Sequence, residues 1–237
     1  MVMLYWKKMP SLWVGNSIAS FNDLETAHAI AALKIYIVFS LFSKSREDGV
    51  RTIAMTFTEI SETASLSRAL VNEGLKVLYQ KEMIKNLSPT PRKKLYTVDV
   101  AGELLDGWCK LPFAGVVSED RSIVAFKSMH NRYPFELVAL QLYVYLLYAR
   151  DNRNDYTLAR KFTIMEKLHC RLHVLNKAIT YLIHIGLLKA VKQKVVEQTY
   201  TEIFHDSFYF YMAAGAGNAF TYQKSPKVVP PAKEIPF

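Results

Sequence analysis

Apolar residues recur at helical spacing from Leu24 through Ile30, Leu33, Ile37 and Leu41, and the polar stretch 43–49 ends the pattern. This predicts an opening helix, with Asn22 or Asp23 placed to cap it. A short, partly β-branched stretch at 52–57 suits a small strand. Thr58 then caps a second helix, with Ile60 and Ala64 inward and Ser61 and Glu62 outward. After a tight turn at Ser65, Leu66, Leu70, Val71, Leu75 and Leu78 form one apolar face of a third helix that runs to Gln80. Gly74 weakens that helix without breaking it. Segments 83–87 and 94–98 suit two strands, joined at 88–93 by a proline-containing basic loop, which makes a hairpin with a charged tip.

The pattern then returns. Ala32-Leu33-Lys34-Ile35-Tyr36-Ile37 reappears 107 residues on as Ala139-Leu140-Gln141-Leu142-Tyr143-Val144. Ile60, Val71, Asn72, Leu78, Ile84 and Lys85 align with Ile164, Leu175, Asn176, Leu182, Leu188 and Lys189 at an offset of 104, so the second copy has a loop three residues shorter. Its predicted elements are helices at 135–150, 163–168 and 172–185, a turn at 169–171, and strands at 187–195 and 198–204 around a second charged tip. Helix, strand, helix, turn, helix and hairpin is the order of a winged helix-turn-helix domain. The expected fold class is therefore α+β, mainly helical, with two winged helix-turn-helix domains in tandem as a pseudo-repeat. The expected division is an N-terminal segment 1–21, a first domain 22–100, a structured connector 101–134, a second domain 135–212 and a flexible tail 213–237. Within the connector, 103–109 suits a short helix and 122–126 a strand.

With 237 residues, about half of them hydrophobic, the chain can bury one large core or two modest ones, and the repeat leads to an expectation of two. The longest apolar run, 29–42, is interrupted by Lys34 and is shorter than the roughly 20 residues of a membrane-spanning helix. Its twin at 136–149 carries Gln141 at the matching place, so both are expected to be core helices and no membrane partner is expected. Tyr36 and Tyr143 occupy matching positions on them; core packing is the first reading and a homodimer surface the second. Trp6 and Trp13 dock either on the body of the protein or on a second subunit. Cys109 and Cys170 lack framework spacing, which suggests a reducing compartment, and residues 1–13 lack the pattern of a signal peptide, so the cytoplasm is expected.

The formal charge is +9, and its placement matters more than its size. Residues 160–194 hold eight basic side chains against Glu166 alone, and residues 81–97 hold Lys81, Lys85, Arg92, Lys93 and Lys94 against Glu82. Both clusters fall in the second half of their repeat. In a winged helix the third helix enters the major groove, about 12 Å wide, so short polar and basic residues must face outward along its N-terminal half. Ser65, Ser67, Arg68, Asn72 and Lys76 fit in the first copy, and His169, Arg171, His173, Asn176 and Lys177 in the second. Arg68 and Arg171 suit guanine, and Asn72 and Asn176 suit adenine, although an asparagine at a repeated position also suits a role in holding the turn. Arg92, Lys93, Lys94, Lys192 and Lys194 on the hairpins suit phosphate contacts or the adjacent minor groove.

Other chemistry is thin. His169-Cys170-Arg171-Leu172-His173 puts two histidines on one helix face, but a closed zinc site needs four ligands and Cys109 is the only other thiol, so no metal is expected. Glu59 with Glu62, or Asp151 with Asp155, suggests no acid–base cleft. The chain carries no glycine-rich phosphate loop and no nucleophile elbow. No cofactor, no small-molecule substrate and no enzymatic activity are expected.

The layout of residues 24–208, with helix-turn-helix segments at 58–80 and 163–185, a hairpin after each and a long helix before each, resembles plasmid replication initiators built from two winged-helix domains. The resemblance implies binding of double-stranded DNA at repeated origin sites, often with repression of the protein's own promoter, and two domains on one face of the duplex in adjacent major grooves. A transcriptional or partition regulator of a mobile element has the same physical description. The competing class is a non-enzymatic adaptor subunit of a chromosome-organising complex. It needs no basic third helix, so the location of the charge argues against it.

Overall fold

The computed structural model describes residues 5–47, 50–88, 94–98, 107–151, 153–194 and 207–213. A first strand, β1 (Trp6–Pro10), leads through α1 (Leu12–Ser17) and a 3-10 turn (Ile18–Asp23) into α2 (Thr26–Phe42). Then come β2 (Lys44–Ser45), β3 (Arg51–Met55), α3 (Phe57–Ala64), α4 (Arg68–Gln80), β4 (Lys85–Asn86) and β5 (Lys94–Thr97). The remainder is β6 (Trp108–Pro112), α5 (Val124–Lys127), α6 (Pro134–Ala149), β7 (Tyr156–Arg160), α7 (Lys161–Leu168), α8 (Leu172–His184), β8 (Leu188–Gln193) and β9 (Ser207–Met212). The architecture is α+β, and apart from the two-residue strand β2 the order helix, strand, helix, helix, strand, strand occurs twice.

Local chemistry sets the helix boundaries. Glu25 caps α2 by accepting from the His28 amide at 2.9 Å, while Asn22 and Asp23, the expected caps, belong to the preceding 3-10 turn. Thr56, not Thr58, caps α3. Its hydroxyl accepts from the Glu59 amide at 3.2 Å and the Glu59 carboxylate accepts from the Thr56 amide at 2.7 Å, a reciprocal capping box. Ser67 caps α4, which starts at Arg68, two residues after the apolar face begins at Leu66. Glu136 is fully buried and closes the start of α6 by accepting from the amides of His130, Arg132 and Tyr133.

Helices α2 and α6 are buried on all sides over most of their length, as their apolar sequences require. They pack on each other; α4 lies on α2 and α8 on α6, so the described residues share one continuous apolar core in place of the two modest cores expected. Gly74 makes the α2–α4 approach possible: a Cβ there would sit 2.9 Å from the Ala31 carbonyl carbon. Tyr36 and Tyr143 are each 1% exposed, so neither forms a dimer surface. Trp13 docks on the protein itself, its Nε1 donating to the Pro10 carbonyl and the Tyr36 hydroxyl. Among the described residues no helix is long and apolar enough to cross a membrane.

Two small antiparallel sheets flank this core, with strand orders β2-β3-β5-β4 and β7-β9-β8. The strand expected at 198–204 lies outside the described residues; the strand that pairs with both β7 and β8 is 207–212. Residues expected as a strand at 122–126 instead place Ile123 in an isolated bridge and enter the short helix α5. Of the helix expected at 103–109, residues 103–106 lie outside the described residues and Cys109 is in strand β6. The expected tail, beyond residue 213, also lies outside them.

Strands β1 and β6 show that the repeat extends further back than residues 24 and 135. Trp6-Lys7-Lys8-Met9-Pro10 and Trp108-Cys109-Lys110-Leu111-Pro112 share Trp-x-Lys-x-Pro, 102 residues apart. They pair antiparallel with Lys8 opposite Lys110, so equivalent residues meet as they do about a local twofold. Trp6 stacks on Trp108 with ring centroids 5.8 Å apart, and each lysine lies over the other strand's indole, at 4.4 Å for Lys8 and 4.8 Å for Lys110. Buried Arg51 and Arg150 donate to the Lys8 and Lys110 carbonyls and brace the ribbon from either side.

Candidate nucleic-acid interface

In each unit two helices are joined by a short turn: α3 to α4 through 65–67, and α7 to α8 through 169–171. The residue that ends the first helix takes the left-handed conformation in both, Ser65 with φ 50° and His169 with φ 48°. That conformation reverses the chain sharply, and a short polar or aromatic residue tolerates it better than a β-branched one. One face of α4 and of α8 is then committed to the core, through Val71, Leu75 and Leu78 in one and Leu175, Ala178 and Leu182 in the other. The opposite face is left to solvent.

On α4 that face holds Arg68, Asn72 and Lys76, all exposed. Lys76 donates to the Glu73 carboxylate at 2.7 Å and Asn72 donates to it at 3.0 Å, and the lysine bond in particular holds the carboxyl below its ordinary range. Ser67 spends its hydroxyl oxygen on the Leu70 amide as the helix cap. Ser65 is half-buried, with its carbonyl turned inward to the Lys34 ammonium. Lys94 is half-buried, 5.5 Å over the Phe57 ring. Arg92 and Lys93 lie outside the described residues.

On α8 and its turn, His169, Arg171, His173, Asn176 and Lys177 are all exposed. Lys177 projects 4.1 Å over the Phe135 ring, and Asn176 accepts from Lys161 at 3.1 Å. Both asparagines therefore sit on the outer faces rather than beneath them. Lys161 was absent from the sequence-based set; nothing in its position at the start of α7 announces that it reaches Asn176. Lys192 is exposed and 5.7 Å over the Tyr211 ring, and the Lys194 amide donates to the Ser207 carbonyl at 2.8 Å, which holds the hairpin at that level. The residue equivalent to Glu73 is Lys177, so the sign of the charge at this position reverses between the units.

Cys170 is half-buried in the turn and burial pushes its thiol up; burial pushes the thiol of Cys109, which is fully buried, up to about 12. Among the described residues no three His, Cys, Asp or Glu side chains come together in a metal-binding group.

No protein-family model matches the chain, and the comparison with curated proteins finds no match. Among solved structures, the crystal structure of Pi initiator protein in complex with iteron DNA is similar at a TM-score of 0.45 and 13% identity, covering 92% of this chain and all of that one. At that score the likeness fixes neither fold family nor function for this chain.

Proposed function

We propose that the chain binds double-stranded DNA sequence-specifically through two winged helix-turn-helix domains, residues 22–100 and 135–212, as a replication initiator of a plasmid or mobile element or as a transcriptional repressor. The observation that carries this reading is the repeated one: in both units the helix after the turn buries one face and offers polar and basic side chains on the other. The strand orders β3-β5-β4 and β7-β9-β8, in which the last strand runs between the first and the second, support the winged-helix assignment. In this reading Arg68 and Arg171 make bidentate contacts with guanine and Asn72 and Asn176 with adenine, each discriminating by about 1–3 kcal/mol; the exposure of all four supports it. Lys94, Lys192 and Lys194, with Arg92 and Lys93, supply phosphate contacts that set affinity rather than sequence choice. The free thiols of Cys109 and Cys170 support a reducing compartment, the cytoplasm. Neither a catalytic step nor a bound cofactor belongs to this reading.

Selection of bound duplexes from a random pool at two salt concentrations tests it. The expected winner holds two sequence blocks about one helical turn apart, and affinity falls with salt by about 0.9 in the logarithmic slope for each phosphate neutralised. Enrichment of no sequence, or binding indifferent to salt, contradicts the proposal.

A further inference from the structure

At matching positions the opening helices carry a fully buried polar side chain, Lys34 in α2 and Gln141 in α6. Lys34 Nζ donates to the Asn131 side-chain oxygen at 2.8 Å and to the carbonyls of Ser65 and Phe126 at 3.2 Å each. Asn131 Nδ2 also reaches the Ser65 carbonyl, at 3.4 Å. Gln141 Nε2 donates to the Asn22 side-chain oxygen at 3.0 Å and to the Ile18 carbonyl at 2.9 Å, and Asn22 Nδ2 donates to the Leu168 carbonyl at 2.9 Å. The two networks are equivalents, but each crosses between units. Asn131 lies ahead of the second unit's opening helix and holds the α3–α4 turn of the first; Asn22 lies ahead of the first unit's helix and holds the end of α7 in the second.

The same two segments also grip the reading helix of their own unit. At the end of α4, Lys81 Nζ donates to the Ser20 hydroxyl at 2.7 Å, and in α8 the Tyr181 hydroxyl, whose single proton is shared with the Glu136 carboxylate at 3.0 Å, reaches the Ser128 carbonyl at 3.2 Å. Helix α4 is thus tied through Ser20 and Asn22 to the turn that precedes α8, and α8 is tied through Ser128 and Asn131 to the turn that precedes α4. Lys34 and Gln141 are buried at the root of these links, while Asn22 and Ser128 are exposed and Asn131 is half-buried; breaking a bond to either buried group leaves its donor unsatisfied, which resists separation.

We infer that Asn22 and Asn131, with Gln141 and Lys34 behind them, are positioning residues that hold the two reading helices at one separation, so that the spacing between base blocks is itself a determinant of specificity. This rests on the DNA-reading role proposed above. One base pair shifts the second block by about 3.4 Å and turns it by roughly a tenth of a revolution, which a rigid pair of helices cannot follow.

The test uses the full-length chain, the duplex won from the random pool, and a series of duplexes with one to five base pairs inserted between its blocks. The wild type is expected to lose at least tenfold in affinity on the first or second insertion. Asn22→Ala with Asn131→Ala is expected to bind the best-spaced duplex a few-fold more weakly and to lose most of its preference among spacings, while each block's base preference is kept. A folded double variant with the wild-type spacing profile overturns the inference, as does a wild type indifferent to spacing. A wild type that selects no duplex sinks the DNA-reading role instead. Where the double variant does not fold cooperatively, Asn22→Ala alone removes one exposed side chain from the same link; a flattened spacing profile supports the inference and an unchanged one overturns it.

Discussion

The two units use one scaffold with different side chains at the decisive points. At the crossing with the opening helix the first has Gly74 and the second Ala178; behind the turn the first has Lys34 and the second Gln141; on the outer face the first has Glu73 where the second has Lys177. In the first unit the carboxylate of Glu73 engages both Lys76 and Asn72, two of the exposed side chains on the outer face of α4. In the second the outer face carries no acid at the matching place. The difference teaches that a duplicated fold need not duplicate its chemistry: under the proposed function, the second helix makes the stronger phosphate and base contacts and the first the weaker.

Disabling one helix at a time tests this asymmetry most severely. Arg171→Ala with Lys177→Ala is expected to weaken binding to the selected duplex about 100-fold, because two contacts worth about 1–3 kcal/mol each are lost. Arg68→Ala with Lys76→Ala is expected to cost about tenfold. Fluorescence anisotropy at fixed salt measures both; equal losses would erase the proposed division.

The crossing residues give the next largest effect. Gly74→Ala forces a methyl against the Ala31 backbone and is expected to destabilise by about 1–3 kcal/mol in urea unfolding, despite alanine's better helix propensity. Ala178→Gly is expected to cost about 1 kcal/mol, mainly from propensity. A more stable Gly74→Ala protein would show that the α2–α4 approach is looser than described.

Lys34 against Gln141 yields a dependence on pH. Burial pulls the Lys34 ammonium down from 10.5 to about 7, opposed by the Glu136 carboxylate. Between those values the unfolded chain binds a proton that the native chain does not, so native stability rises with pH through the window and is flat below it. Lys34→Gln, which copies the second unit, removes this contribution. Between pH 7 and pH 9 the wild type should gain about 2 kcal/mol over the variant in urea unfolding. Parallel pH profiles would mean that the three acceptors around Nζ keep the lysine charged. The smallest effect is expected from Glu73→Lys: affinity severalfold higher and a logarithmic salt slope steeper by about one. An unchanged slope would place Glu73 away from the phosphates.

Much of the scaffold was legible in the chain because it rests on strong periodicity. Helices α2 and α6 follow from apolar runs bearing one polar residue at the same point, and α4 and α8 from faces repeated 104 residues apart. The start of α3 was misplaced although the signal is present: Thr56 is followed three residues on by Glu59, the spacing a capping box needs, and Thr58 is not. Segment 122–126 looks like a strand because Ile123 and Val124 are β-branched, but packing of Ala125 and Phe126 into the core selects a helical turn. Segments 198–204 and 207–212 are both rich in aromatic and β-branched residues, and only pairing with β7 and β8 picks the second. The Trp-x-Lys-x-Pro repeat is a missed signal, three shared residues in stretches without helical periodicity. The crossed network of Asn22 and Asn131 was not legible, since each asparagine lies far in sequence from the turn it holds; only the polar oddities Lys34 and Gln141 pointed to it.

The central claim is that two helices, α4 and α8, read two separate blocks of one duplex. Footprinting the selected duplex with the wild type, the Arg68→Ala/Lys76→Ala variant and the Arg171→Ala/Lys177→Ala variant tests it most directly. The account predicts two protected blocks about one helical turn apart for the wild type, with each variant losing protection over a different one. Loss of the same block in both variants, or a single block in the wild type, would contradict it.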